Sequence, residues 1–386
     1  MQLVAYGAQD IYLTGNPQIT FFKVVYRRHT NFSMESIQQT FNGTQADSGR
    51  STATISRNGD LVHRMYLQHT TGLTSTGPAE RQNPAAMLID SVELEIGGQQ
   101  IDKHYGKWME AFVELTENKT GRAFGTNFQI MSGMCEGAIA VATTADAPAQ
   151  NATSGGADVM FRKLVQNVSR IVYTPLHFWF CRNPGLALPL IALQYHEVKV
   201  LFNWNVTDRT NTDAQLWCAY IYLDTDERRR FAQVSHEYLI EQVQYESHAA
   251  SDTATLNFNH PVIELVLTGA WAAGAFDVIH GSGYEDTLIL KLNGHDRFAA
   301  RPLSYFARTQ VWEHHSGEGG FVEGSIAVYS FALKPEEHQP SGTCNFSRID
   351  NAQLTFGVTS AAFDIYAVNY NVLRIMSGMG GLAYSN

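Results

Sequence analysis

The stretch FWFCRNPGLALP at residues 178–189 decides the fold, because its outline returns as YSFALKPEEHQP at residues 329–340. Both stretches place a phenylalanine ahead of two prolines, and the matched pairs are Phe180 with Phe331, Pro184 with Pro335, and Pro189 with Pro340. Proline lacks the amide hydrogen that a central strand needs, so each stretch predicts a strand that stops and turns at a corner. The repeat predicts two related domains in one chain.

Glycine turns give a second repeat. Gly98 and Gly294 each follow an alternating apolar stretch and precede a short segment with helical spacing, KWMEAFVEL (107–115) in the first half and PLSYFARTQ (302–310) in the second. The two glycines lie 196 residues apart and the matched phenylalanines 151 apart, so the first copy contains 45 more residues between its landmarks. The Ala-, Thr- and Gly-rich stretch 136–158 falls in that interval and predicts a long surface loop.

Apolar residues alternate with a period of two along most of the chain, which is typical of strands. The predicted strands are ITFFKVVY (19–26), STATISRN (51–58), SVELEI (91–96), RIVYTPLHFWF (170–180), HEVKVLFNW (196–204), LWCAYIYL (216–223), EYLIEQVQY (237–245), TATLNFN (253–259), VIELVLTG (262–269), DTLILKLNG (286–294), SIAVYSFAL (325–333), AQLTFGV (352–358) and FDIYAVNY (363–370). Asn58-Gly59, between STATIS and LVHRMYL, predicts a hairpin. The pattern indicates two all-β sandwiches, but periodicity alone does not separate a jelly roll from other sandwiches.

The composition argues against several classes of function. Among 386 residues, 17% are charged, and the net charge of −10 argues against direct nucleic-acid binding. The four cysteines form no CxxC pair, so we expect no zinc site, and Cys181 and Cys218 lie in apolar stretches that predict burial. No GxSxG, P-loop or HExxH motif occurs, so we predict no enzyme activity, metal or cofactor. We expect His314 and His315 to lie in a solvated surface loop.

The opening of the sequence does not predict a secretion signal. The opening MQLVAYGAQD has no charged region followed by a long apolar run, which is the pattern of a secretion signal. No stretch approaches the ~20 apolar residues of a membrane span. We therefore expect synthesis in a reducing compartment.

The stretch DTDERRRFAQ (224–233) joins the two halves and predicts a linker helix that Asp224 caps. Asp224 and Arg228 are spaced for pairing one turn apart. We interpret the basic run as a solvated helix face, and the alternatives are a nucleic-acid-binding patch and pairing with acidic residues of a neighbouring subunit. The residues concerned are Arg228, Arg229 and Arg230.

The stretch GAQDIYLTGNPQITFFKVVYRRHTNFSMESIQQTFNG (7–43) resembles the opening of the major capsid proteins of large icosahedral double-stranded DNA viruses of algae, of the chlorella-virus type. The resemblance continues, in order, through ISRNGDL (55–61), VELEIGGQQIDKHY (92–105), PGLALPLIALQYHEVK (184–199), YLDTDERRRFAQ (222–233), HEYLIEQ (236–242), FALKPEEHQPSGTCNFSRIDNA (331–352) and NYNVLRIMSGMGGLAY (369–384). It implies an all-β fold of two tandem eight-stranded jelly-roll β-sandwich domains, with short helices in the loops and the linker. It also implies a homotrimer with a pseudo-hexagonal outline that tiles the virion capsid.

The resemblance gives the following expected boundaries: an N-terminal arm over 1–18, a first jelly roll over 19–223, a linker helix over 224–235, a second jelly roll over 236–375 and a C-terminal tail over 376–386. It implies a late structural protein, made in the host cytoplasm, that assembles with itself, with minor capsid proteins and with inner, membrane-facing components. It further implies covalently attached glycans. The candidate glycosylation sites are Asn151, Asn42, Asn205 and Asn345.

The arm contains apolar residues that a free tail rarely needs, among them Ile11, Tyr12 and Leu13. We expect them to dock against a neighbouring subunit or a minor capsid protein, and the alternative is a mobile tail. The main alternative for the whole chain is a carbohydrate-binding, lectin-like jelly roll, which would need clustered aromatics and often a calcium loop. A cupin-type enzyme is a third alternative, and it would need a metal-binding His/Glu set.

Overall fold

Antiparallel strands dominate the computed structural model, which describes residues 7–45, 49–73, 88–117, 128, 131–132, 170–206, 209–272, 275–276, 279, 286–317, 319 and 324–384. The strands of the first half are β1 Phe32–Gln39, β2 Phe41–Asn42, β3 Arg50–Thr54, β4 Leu61–Leu73, β5 Ile89–Ile96, β6 Gln99–Tyr105, β7 Arg170–Pro175, β8 Leu188–Pro189, β9 Val198–Trp204 and β10 Arg209–Leu223. The strands of the second half are β11 His236–His248, β12 Thr253–Leu256, β13 Pro261–Gly269, β14 Trp271–Ala272, β15 Ala275–Phe276, β16 Thr287–Leu292, β17 His295–Asp296, β18 Arg301–Pro302, β19 Ile326–Ser330, β20 Cys344–Asn345, β21 Ala352–Phe356, β22 Phe363–Met376 and β23 Met379–Leu382.

Each half forms a sandwich of two sheets, and the two sandwiches share one strand order. In the first, sheet A runs β1-β10-β4-β7 and sheet B runs β2-β3-β9-β5-β6. In the second, sheet C runs β11-β22-β13-β19 and sheet D runs β12-β21-β16-β17. Short strands extend these sheets, so the count of eight strands per sandwich stays a prediction, as do the domain boundaries.

Short helices occupy the connections. They are α1 Ile11–Thr14, α2 Gly106–Thr116, α3 Trp179–Arg182, α4 Thr225–Gln233 and α5 Gln310–His314, with a π-helical turn Tyr305–Thr309 leading into α5. Helix α2 confirms the helical stretch predicted in the first half, and the turn with α5 confirms its counterpart in the second. Each follows the same sheet-edge hairpin, β5–β6 or β16–β17.

Both predicted glycine turns close hairpins. Gly97 and Gly98 have φ values of 59° and 85°, and Asn293 and Gly294 have values of 51° and 78°. Positive φ at both central residues is the geometry of the two-residue turn that matches strand twist. The 178–189 and 329–340 stretches also form the predicted corners, and each leads from an edge strand to a short strand that pairs with the start of β4 or β13.

Two local predictions are wrong. The turn at Asn58-Gly59 does not close a hairpin, because β3 pairs with β9 in sheet B while β4 pairs with β10 in sheet A. The stretch 19–26 forms no strand, and the first strand begins at Phe32. Its apolar side chains are exposed, with Phe22 98% exposed, so they pack against neither core of the described chain.

The core of the first sandwich contains residues from both halves of the chain. Alternate residues of sheets A and B fill it, and Cys181 and Cys218 are buried there as predicted. Leu373 and Ile375, from the end of β22, belong to the same cluster. Strand β23 folds back on β22 as a hairpin. The turn of this hairpin contacts the first sandwich, where the Tyr195 amide donates to the Gly378 carbonyl at 3.0 Å. The second sandwich therefore completes the core of the first.

Candidate assembly surfaces

Helix α2 packs between the two sandwiches. Trp108, Ala111 and Leu115 pack against the outer face of sheet C, and the Trp108 ring lies 5.2 Å from the ring of Tyr366. On the opposite side of the helix, Met109 enters the core of the first sandwich. A helix that is apolar on both sides is buried on both sides, so α2 joins the two sandwiches through side-chain packing.

Hydrogen bonds to the backbone of α2 also connect the two sandwiches. The loop after α5 bonds to the last carbonyls of α2, with the Gly317 amide donating to Leu115 at 2.6 Å and the Gly319 amide donating to Glu114 at 3.2 Å. The Ser316 hydroxyl donates to the Thr116 carbonyl at 2.8 Å. Helix ends leave their last carbonyls without partners, and here the second sandwich supplies the donors.

An ion pair between the partly exposed Arg182 and a buried carboxylate crosses the junction beside the first corner. Arg182 lies 2.7 Å from the carboxylate of Glu241 on β11, and His338 of the second corner lies 3.9 Å from the same carboxylate. Burial alone would raise the pKa of Glu241, but the charges of Arg182 and His338 outweigh it and lower the pKa. Glu241 therefore stays ionised, and both proline corners meet at this carboxylate.

His315 forms a second buried charge cluster. Its ring nitrogens lie 3.0 Å from Glu264 and 3.1 Å from Glu336, and its side chain is 2% exposed. Burial lowers the pKa of His315, but the two carboxylates more than compensate and raise the pKa to about 9. The expectation of a solvated loop is therefore wrong for His315, which is held as a cation between two glutamates.

A cavity of about 810 Å³ adjoins these clusters at the junction. Its lining includes Trp108, Phe112, His177 and Arg182. Burial, followed by the nearby charges of His104 and Arg182, lowers the pKa of His177 to about 3, so this ring stays neutral. Within the described ranges, no group of three or more His, Cys, Asp or Glu side chains is arranged to hold a metal ion. None of the described helices is both long and apolar enough to cross a membrane.

The N-terminal arm lies outside both cores. In α1, Ile11 is 57% exposed, Tyr12 is 89% exposed and Leu13 is 87% exposed. The exposed apolar residues continue through 19–26. The arm therefore carries an apolar surface that neither core of the described chain covers.

The linker helix α4 begins as predicted at Asp224, whose Oδ1 accepts a hydrogen bond from the Thr225 amide at 2.7 Å. Arg228 does not pair with Asp224 but lies 2.9 Å from Asp60, at the turn before β4. The helix has no buried residue, and Arg229 and Arg230 are exposed.

Three of the four candidate glycosylation sites are described. Asn42, Asn205 and Asn345 are all exposed. The Asn345 Oδ1 accepts a hydrogen bond from the Ser347 amide at 3.1 Å. Asn151 and the predicted surface loop 136–158 lie outside the described residues.

Sequence reasoning missed the charged residues of the junction. Arg182 and Glu241 lie 59 positions apart, and Glu264 and His315 lie 51 apart, so no local spacing relates them. The one available indication was the repeated corner, since Arg182 and Glu336 each lie within one of the two matched stretches.

Two family models match the chain. The model for the N-terminus of the major capsid protein matches residues 20–224, and the model for the large eukaryotic DNA virus major capsid protein matches residues 286–381. The major capsid protein of Pyramimonas orientalis virus is 50% identical, over 100% of this chain and 99% of that protein. That of Paramecium bursaria Chlorella virus 1 is 41% identical, over 100% and 99% of the respective chains.

Solved structures agree with these matches. The quasi-atomic model of the PBCV-1 virus capsid has a TM-score of 0.77 at 36% sequence identity, covering 95% of this chain and 100% of that chain. The Faustovirus major capsid protein has a TM-score of 0.63 at 13% identity, covering 96% and 94%, and shares the fold alone. The predicted tandem jelly-roll fold is confirmed. The carbohydrate-binding alternative finds no support among these relatives.

Proposed function

The chain belongs to the major capsid protein family of large eukaryotic DNA viruses and builds the virus shell, and we propose that it does so as a homotrimeric, pseudo-hexagonal capsomer. The observation that carries the trimer is the shared strand order of the two sandwiches. Three copies would supply six similar units, and a ring of six similar units packs on a hexagonal lattice. Contacts that run from the second sandwich of one copy to the first of the next close into a ring after three steps.

The mass of the purified protein in solution tests this proposal. Native mass spectrometry should give three times the mass of one chain at micromolar concentration. A monomer or a dimer over the same concentrations would contradict the trimer. We also infer a structural role without catalysis, because the family is a structural one and its members tile a shell.

We propose that the arm docks on a neighbouring subunit or a minor capsid protein through Ile11, Tyr12 and Leu13. Fully burying one such side chain stabilises a complex by about 1.5–3 kcal/mol before ordering costs, so three exposed residues are a substantial contribution. Limited proteolysis should cut the arm in free trimers and spare it in assembled shells. Equal cleavage in both states would contradict docking.

We propose a weaker, electrostatic role for the exposed face of α4, through pairing of its arginines with acidic groups of a neighbouring subunit. Arg228 needs separate treatment, because its partner Asp60 lies in the same chain. A variant with Arg229→Ala and Arg230→Ala should weaken trimers or shells at low salt, whereas Arg228→Ala alone should mainly destabilise the monomer fold. Unchanged assembly after replacement of all three arginines would remove this proposal.

We further propose synthesis in the host cytoplasm, contact with minor capsid proteins and inner components, and covalent glycans, without direct nucleic-acid binding. Exposed Asn42, Asn205 and Asn345 are available for attachment. Peptide mass spectrometry of virion protein would show which asparagines carry sugar.

A further inference from the structure

The outer faces of sheets A and C correspond residue by residue. Strands β8 and β20 pair with the same end of β4 and β13, which matches Val62 with Val262. These valines lie opposite Tyr220 in β10 and Asn369 in β22. Val62 and Val262 face the cores of their own sandwiches. Counting along the paired strands from these positions matches the residues of the outer faces: Met34 with Glu241, Tyr66 with Val266, and Trp217 with Tyr366. The match is self-consistent, because Tyr66 pairs with Trp217 just as Val266 pairs with Tyr366.

The outer face of sheet C is covered by the first sandwich of the same chain. Tyr366 is fully buried beneath Trp108 of α2. Glu241 is buried and paired with Arg182 of the first corner. This junction shows how a corner and its preceding helix sit on such a face.

The outer face of sheet A carries an apolar surface in the matching place. Met34, the counterpart of buried Glu241, is 52% exposed, and Tyr173 on the edge strand is 36% exposed. Tyr66 and Trp217 stack with ring centroids 6.4 Å apart. Exposed Met34 and Tyr173 beside this stacked pair form an apolar patch of the kind that marks an interaction site.

The second sandwich carries a flank that corresponds to the covering flank of the first. The aligned corners match Arg182 with Leu333, since both lie two residues after the shared phenylalanine. Leu333 is 75% exposed, and its carbonyl oxygen lies 3.2 Å from Nδ1 of His314 at the end of α5. On the same helix Trp312 is 81% exposed. Leu333 is therefore exposed at the position where the first sandwich places Arg182, and Trp312 is exposed on the neighbouring helix.

We propose that the flank formed by Trp312 and Leu333 docks on the outer face of sheet A of a second copy, with Leu333 against Met34. This proposal rests on the proposed trimer and specifies its contact. Within each chain the partly exposed Arg182 pairs with the buried carboxylate of Glu241, and between copies both matched positions are apolar. An apolar residue in place of the arginine alone would leave a buried carboxylate unpaired, and the change at both positions avoids that cost.

Cysteine cross-linking tests the contact. The chain with both Leu333→Cys and Met34→Cys, under mild oxidation, should give covalent dimers and trimers on a denaturing gel, and either single variant should not. Mixing the two single variants should give cross-linked dimers only, which shows that the bond joins different copies. Trimers by native mass without cross-links in the double variant would overturn this contact and leave the proposed trimer standing. A monomeric wild-type protein would overturn both.

A charge exchange tests the same pair in another way. Met34→Glu alone should weaken trimer association at least 100-fold while the thermal midpoint of the monomer stays near that of the wild type. Adding Leu333→Arg, which copies the pair found within the chain, should restore association to within about 10-fold of the wild type. Intact trimers in the Met34→Glu variant, or no recovery in the double variant while Leu333→Arg alone remains folded, would overturn the proposal.

Discussion

Gly317 is the residue at which a single added methyl group should disrupt the contact between the two sandwiches. A Cβ built on Gly317 would lie 2.4 Å from the Leu115 carbonyl oxygen and 2.5 Å from that of Glu114. Both atoms are backbone of α2, so no side-chain rotation can relieve the overlap. Gly317→Ala must therefore push the loop away from the helix.

The size of the effect follows from the contacts that this movement breaks. Reaching 3.0 Å, the shortest separation that real Cβ atoms show, already needs a shift of about 0.6 Å, which also strains the hydrogen bonds from Gly317 to Leu115 and from Ser316 to Thr116. Losing two such bonds costs about 1 kcal/mol each, and overpacking a close contact costs about 1–3 kcal/mol. We expect a total loss of about 3–5 kcal/mol, which lowers the thermal midpoint by about 6–20 °C for a domain of this size.

Differential scanning calorimetry measures the midpoint, and Gly381→Ala provides a matched control. A Cβ on Gly381 would meet only the flexible end of Gln99, at 3.3 Å. This control should stay within about 2 °C of the wild type, the shift that follows from changes below 0.5 kcal/mol. If Gly317→Ala melts with the control, the close approach of loop and helix does not hold the junction together.

Three further predictions concern the same junction. The pKa of His315 is raised to about 9 from 6.5, so its stabilisation is complete below pH 6.5 and is lost as the pH rises through 9; the thermal midpoint should fall over that window, and His315→Gln should flatten the fall. Arg182→Ala should cost about 1.5–3 kcal/mol in denaturant unfolding, because it removes a hydrogen bond between charged groups and leaves Glu241 buried, and Arg182→Met with Glu241→Leu should recover most of it. Trp108→Ala should cost about 3–5 kcal/mol by the same assay, and a loss below 1 kcal/mol would show that the packing of α2 does not hold the two sandwiches together.

Much of the fold could be predicted because its determinants repeat along the sequence. The two proline corners and the two glycine hairpins are local features, and they lie at matching points of both sandwiches. The wrong hairpin at Asn58-Gly59 shows the limit of local reasoning. A Cβ on Gly59 would lie 2.8 Å from Cβ of Tyr220, so close packing under β10 explains this glycine better than a hairpin turn does. Which strand pairs with which depends on distant residues.

The assembly surfaces were predicted only in part. The arm residues could be identified from sequence, because apolar side chains in a polar terminal segment stand out. The junction could not be identified, because the sequence around a charged strand residue such as Glu241 does not show whether that residue faces water or pairs with an arginine of the other sandwich. His315 shows this most clearly, since its buried partner Glu264 becomes adjacent only after β13 and the loop following α5 have folded.

The hairpin of β22 and β23 has a consequence for synthesis on the ribosome. Leu373 and Ile375 fill the core of the first sandwich, yet they are translated after every other buried residue of that core. A nascent chain can pair most strands of the first sandwich while it is still tethered to the ribosome, but that core stays incomplete until β22 has left the exit tunnel. A chain truncated before β22 would therefore keep an open core in its first sandwich.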